Sequence, residues 1–208
     1  MRLLLAMSLL SLLLAPSPVG AEAPPSVTIR VVDLAEVGPG PLLVSLDVTQ
    51  SLFDAVGITM NWRHCVDGVD DCSDPLRPHE VWLRVAPGNA KRDGWAGEWV
   101  SPRALGFLNI GQSPDSSVMS TIFVKQVARL AHAAGIDATD LLGHVAAHEV
   151  AHLILGTSGH TTSGLMGAHW SVRSSPEHLR FSSTIGSKLR AAIKERGKPE
   201  CGEFSPPS

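Results

Sequence analysis

The chain is 208 residues long, with Lys+Arg 17 against Asp+Glu 20 for a formal charge of −3, and 18% of its positions are charged. A balance this near neutral excludes a polycationic nucleic-acid binder, and a hydrophobic share of 44% supports a packed core and excludes a disordered chain. The length suits one domain or two small ones.

Residues 1–21 read as a secretory signal peptide with cleavage at 21–23. Arg2 gives a positive start, Leu3 to Ala15 is an apolar run, and Val19-Gly20-Ala21 supplies the small residues that precede cleavage. As a helix that run is about 20 Å long, short of a hydrocarbon core roughly 30 Å thick, so it is not a membrane anchor. The mature chain, 22–208, is expected in the secreted or periplasmic space, without a transmembrane segment and with a disordered tail from about 198.

Ser26 to Leu34 has the β-branched, partly alternating character of a strand. Pro41 to Val56 has near-helical apolar spacing and is ended by Gly57. Ile58 to His64 resumes as a strand, and His79 to Ala86 is another with Val81, Leu83 and Val85 on one face. Pro87 to Pro102, rich in Gly and charge, reads as an exposed loop carrying Trp95 and Trp99. Ala104 to Ile110 and Ser117 to Val124 are strands separated by turn residues at 112–115. The first of them is either a sheet edge that binds an extended peptide by strand addition or an ordinary interior strand.

Gln126 to Ala134 reads as a helix stopped by Gly135. Asp137 or Thr139 caps a further helix that runs through Leu155 and is closed by Gly156. The apolar residues of this helix surround its axis, which predicts burial on most sides. A last helix spans about Ser183 to Arg196.

Export permits disulfides. Cys65 and Cys72 flank a short polar loop and are expected to form one, since their spacing is longer than is usual for a zinc-binding pair. Cys201 is left over, either free or displacing one member of that pair.

The buried helix carries His148-Glu149-Val150-Ala151-His152. At 100° per residue His148 and His152 lie about 40° apart and one turn apart, so both imidazoles reach one ion. Glu149 lies about 60° from His152, placed to contact a metal-bound water without being a ligand. That arrangement suits a zinc hydrolase in which the metal acidifies the water and Glu149 takes its proton. A catalytic zinc needs a third protein ligand, and His160 in the loop after the helix is placed to supply it. His144, one turn before His148, is read as a residue supporting the metal site or capping the helix. Three ligands spread over about 12 Å of helix cannot share one ion, so His144 is not itself a ligand.

His148-Glu149-x-x-His152, then Gly156, His160 and Gly164-Leu165-Met166, resembles the metzincin zinc metallopeptidases, which share a His-Glu-x-x-His-x-x-Gly-x-x-His stretch and a methionine turn beneath the metal. The run from Gly143 to Trp170 is similar, more narrowly, to small secreted bacterial proteins of predicted metalloprotease character. The resemblance implies one catalytic Zn2+ on His148, His152 and His160, Glu149 as general base and Met166 as a hydrophobic floor. It differs in that Gly156 is the fourth residue after His152 rather than the third, and His160 the eighth rather than the sixth. The fold class expected is α+β: a single zincin-like domain with a twisted mixed β-sheet packed against a buried active-site helix, and a C-terminal helix.

Some zinc peptidases stabilise the oxyanion with a Tyr, and this chain has none. The role falls to zinc, Glu149, backbone N–H groups, or His169 or Arg173, which are otherwise solvated surface residues. Trp170 either walls a side-chain pocket or fills core. The expected function is a secreted zinc metalloendopeptidase acting on a peptide or protein substrate. The alternatives are a zinc-binding module without turnover and a zinc hydrolase of a non-peptide, cell-wall amide.

Overall fold

Five strands and four helices make up the described part of the computed structural model, which covers residues 23–66, 72–88, 104–109, 119–170 and 178–197. The expected signal segment, Trp95 and Trp99, the turn at 112–115, Arg173, Cys201 and the tail lie outside these residues.

Strand β1 (Ser26–Asp33) buries Val27, Ile29 and Val31, a period-two stripe that commits one face to the core. Helix α1 (Pro39–Asp54) crosses from it to β2 (Thr59–His64), which lies parallel to β1. A parallel neighbour requires such a crossover, and a helix is the usual one. Strand β3 (Glu80–Ala86) joins the other side of β1, and β5 (Met119–Phe123) joins β3, both in parallel. Strand β4 (Gly106–Asn109) pairs antiparallel with β5 and closes the order β2-β1-β3-β5-β4. The sheet is therefore mixed, with β4 at its edge among the described residues. Helices α2 (Val124–Ala134), α3 (Ala138–Leu155) and α4 (Ser183–Arg196) follow.

Most elements lie within two residues of their sequence-based bounds, and the shifts have local causes. Helix α1 begins at Pro39, before the expected Pro41, because a helix accepts proline in its first turn, where the N–H has no intrahelical partner. It ends at Asp54, with a turn leading to Gly57 at φ +71°. Helix α2 starts at Val124, directly off β5, so a β-branched residue that reads as strand begins a helix. Strand β4 begins at Gly106, two residues after the expected 104.

Helix α3 is the spine of the core. Asp137 accepts hydrogen bonds from the Thr139 and Asp140 amides as its N-cap, and Gly156 ends it in the left-handed region at φ +61°. Thirteen of its eighteen residues are buried, so α3 has no solvent face in the ordinary sense. It packs on the sheet and on α1 at once. At the α1 crossing a Cβ on Gly143 would stand 2.5 Å from the Ser45 carbonyl oxygen and 2.6 Å from the Val48 Cβ. Thr49 Oγ1 donates to the Gly143 carbonyl at 2.9 Å, and Ser45 Oγ lies 3.1 Å from that of Thr139. Gly143→Val is therefore expected to push the helices apart and to cost about 1–3 kcal/mol, read as a lower urea midpoint at unchanged slope.

The Cys65–Cys72 disulfide is formed, which removes the metal-pair reading of those residues. The segment from Cys72 onward is tied to the sheet by Arg30, which is 1% exposed and forms a buried ion pair with Glu80. The Arg30 guanidinium also donates to the backbone carbonyls of Cys72, Asp74 and Pro75 and lies over the Trp82 ring. Among the described residues no helix is long and apolar enough to cross a membrane.

Candidate metal centre

His148, Glu149 and His152 lie on α3 where it passes under the β4 edge of the sheet, and the loop after Gly156 brings His160 back to them. The His148 Nδ1–H donates to the Leu165 carbonyl at 2.7 Å, and the His152 Nδ1–H to that of Thr157 at 2.7 Å. A carbonyl only accepts, so both rings carry their proton on Nδ1 and present a bare lone pair at Nε2. Those Nε2 atoms stand 3.0 Å apart, and His160 Nε2 lies 3.3 Å from that of His152.

Two unprotonated ring nitrogens repel at such a distance unless a cation lies between them. Three ligands at 2.0–2.1 Å around a tetrahedral ion are separated by about 3.3 Å, so the donor set and its spacing both fit one Zn2+ with a fourth position left for water or substrate. His148, His152 and His160 form the one such cluster among the described residues.

The longer spacing to His160 is absorbed locally. The αL turn at Gly156 reverses the chain, and the Gly159 amide donates to Thr157 Oγ1 at 3.1 Å. The Thr161 amide donates to the Met166 carbonyl at 2.8 Å, which ties the segment after His160 to the Gly164-Leu165-Met166 turn. Gly164 sits at φ +75° and the Leu165 amide donates to the Arg180 carbonyl, so the turn is anchored to the segment that leads into α4. Met166 is buried at 2% exposure in that turn, next to the residue whose carbonyl holds His148. The Trp170 ring meets His148 edge-on, with centroids 5.5 Å apart.

Glu149 is buried. Burial pushes its carboxyl pKa up to about 7, against a hydrogen bond from Ser120 that favours the charged form. Burial also drives His148 and His152 down to about 4, with the charges of neighbouring histidines adding to the effect. His160 is lowered by burial and then by His169.

These shifts set how the metal-free protein responds to acid. Between pH 6.5 and 4 the unfolded chain protonates His148 and His152 while the folded chain does not, so their burial costs stability as pH falls. Glu149 works oppositely, since the folded chain keeps its proton up to about 7 and the unfolded chain releases it above 4.5. Two groups outweigh one. Metal-free protein is expected to lose on the order of 1 kcal/mol per pH unit as pH drops from 6.5 to 4.5. Urea unfolding at three pH values measures it, and a flat or rising profile contradicts the burial of the histidines.

The remaining sequence-based candidates are placed differently. His144 is buried, and its Nδ1–H donates to the Asp140 carbonyl at 2.9 Å, so its bonded partner is its own helix. His169 is exposed and lines a cavity of about 490 Å³ with Thr162, Ser163, Trp170 and His178. Arg173 lies outside the described residues. Two residues that touch Glu149 were not singled out from the sequence, Ser120 and Gly106. The one available signal was weak: an isolated glycine within a strand pattern, which marks a close approach of another group.

No protein-family model and no curated protein matches the chain. Among solved structures it is similar to a zinc-dependent peptidase from Methanocorpusculum labreanum, at 14% identity and a TM-score of 0.53, over 77% of this chain and 99% of that one. It is also similar to archaemetzincin from Methanopyrus kandleri, at 13% identity and a TM-score of 0.51, over 81% of this chain and 96% of that one. At such identities the likeness is one of fold: a five-stranded mixed sheet over a buried helix, as expected of a zincin-like domain.

Proposed function

We propose that the chain is a secreted zinc metalloendopeptidase, with one Zn2+ on His148, His152 and His160 and Glu149 as general base. The observation that carries this reading is the convergence of three imidazole Nε2 atoms, two of them bare and on the helix that also carries Glu149 between them in sequence. The descriptions of the two similar structures, a zinc-dependent peptidase and an archaemetzincin, support it.

Held by these three histidines, zinc would supply Lewis acidity to the attacking water and the scissile carbonyl. Glu149 is the group that would take a proton from the attacking water and return it to the leaving amine. Among the described residues strand β4 pairs with β5 alone, and its other side is proposed to take an extended substrate by strand addition. His169 and Arg173 are the side chains proposed to stabilise the developing oxyanion, and Met166 to floor the site. The signal-like N-terminus and the Cys65–Cys72 disulfide support a secreted or periplasmic location.

The test is to incubate the mature, zinc-loaded chain with a diverse peptide library and read the products by mass spectrometry. Cleavage that stops with a chelator and returns with zinc is the expected result. Zinc-loaded protein that cuts no peptide would assign the chain to binding without turnover. Products only from cell-wall amides would assign it to the other hydrolase class.

A further inference from the structure

The Glu149 carboxyl sits between two neighbours whose chemistry has no role in binding metal. Ser120, on β5, is fully buried, and its hydroxyl lies 2.6 Å from Glu149 Oε2 and 2.8 Å from the Phe107 carbonyl oxygen on β4. Gly106, also on β4, is so close that a Cβ there would stand 2.5 Å from Oε1 and 2.7 Å from Cδ of Glu149. One carboxyl oxygen is tethered to a central strand while the other lies against bare backbone at the sheet edge.

We infer that Ser120 and Gly106 form a cradle that positions the Glu149 carboxyl beside the metal centre, with Ser120 as a positioning residue and Gly106 as the gap that admits the side chain. A Glu side chain has three rotatable bonds, and only a small part of its range directs an oxygen toward the triad. Ser120 removes that freedom through Oε2 and leaves Oε1 as the working oxygen. The hydroxyl has one hydrogen and two acceptors in reach, so it donates to the carboxylate. When Glu149 carries a proton, Oε2–H donates to Ser120, which then donates to Phe107. The same tether therefore serves the base before and after it takes a proton. This inference deepens the peptidase reading and rests on Glu149 being the base.

A double-mutant cycle tests it by two measurements that need no turnover. In metal-free protein, thermal unfolding of S120A, E149Q and the double variant is expected to be non-additive, because Ser120 and Glu149 share one hydrogen bond. In zinc-loaded protein, S120A is expected to weaken acetohydroxamate binding about 10-fold, with no further loss when placed on E149Q. G106A retains Ser120 but displaces the carboxyl, and is expected to show the same hydroxamate defect with zinc content unchanged. Where the wild type cleaves peptides, both variants lower kcat about 10- to 100-fold at nearly constant KM. Additive unfolding shifts, or equal hydroxamate losses with and without Glu149, overturn the cradle. A wild type that cleaves nothing while the coupling persists overturns the peptidase reading and leaves the cradle standing.

Discussion

Glu149→Gln is expected to lower kcat for peptide cleavage by about 10³-fold while the protein still binds one zinc per chain. The amide is close in size to the carboxyl and meets the same Ser120 hydroxyl, so the site keeps its shape and loses only the group that accepts a proton. Zinc on the proposed three-histidine site would be untouched. Stability is expected to hold or rise, because the substitution removes a buried acid whose charged form is penalised by burial. Metal analysis, unfolding and steady-state kinetics on one preparation make the comparison. A variant that keeps a tenth of the activity removes Glu149 from the mechanism, and one that loses zinc as well shows that the carboxyl is a ligand.

His152→Ala is expected to have the largest effect on the metal. His152 is 3% exposed, and its Nε2 stands between those of His148 and His160 at 3.0 and 3.3 Å. Apparent zinc affinities of about 10–16 kcal/mol spread over four ligands put one imidazole at about 10²–10³-fold in affinity. The central, preorganised ring belongs at the upper end. His160→Ala should cost less, because that ring is exposed and reaches the site from a loop. Competition with a chromophoric chelator gives the order. A larger loss at His160 than at His152 contradicts the helix-centred picture, and no loss at His160 removes it from the ligand set.

The helical half of this site was legible because helix periodicity converts spacing into direction. His148, Glu149 and His152 needed only 100° per residue to be placed on adjoining faces. The same local rules found Asp137 and Gly156 as the ends of α3 and gave nearly every element bound. His160 was suggested by the motif, but its approach depends on the Gly156 reversal and the Thr161-to-Met166 bond, which no spacing rule encodes. Ser120 and Gly106 were not legible at all. They touch Glu149 across 29 and 43 positions of chain, through the order β5-β4 at the sheet edge. Strand order is a long-range property, and the sequence left open whether 104–110 was an edge or an interior strand. Residues that carry chemistry announce themselves by type, whereas those that aim them are ordinary serines and glycines in ordinary strands.

The buried Arg30 has a consequence for how this chain tolerates change. Its guanidinium grips the disulfide-bearing segment through the carbonyls of Cys72, Asp74 and Pro75, and none of those bonds reads a side chain. The segment is recognised by its backbone path. Apart from Cys72, which the disulfide fixes, side chains there can be exchanged without breaking these bonds. Arg30 itself has no such freedom: a lysine offers a point charge where a planar fork meets several acceptors at once. Asp74 and Pro75 are thus held through backbone that a substitution leaves in place, whereas the residue beneath them is held by its side chain.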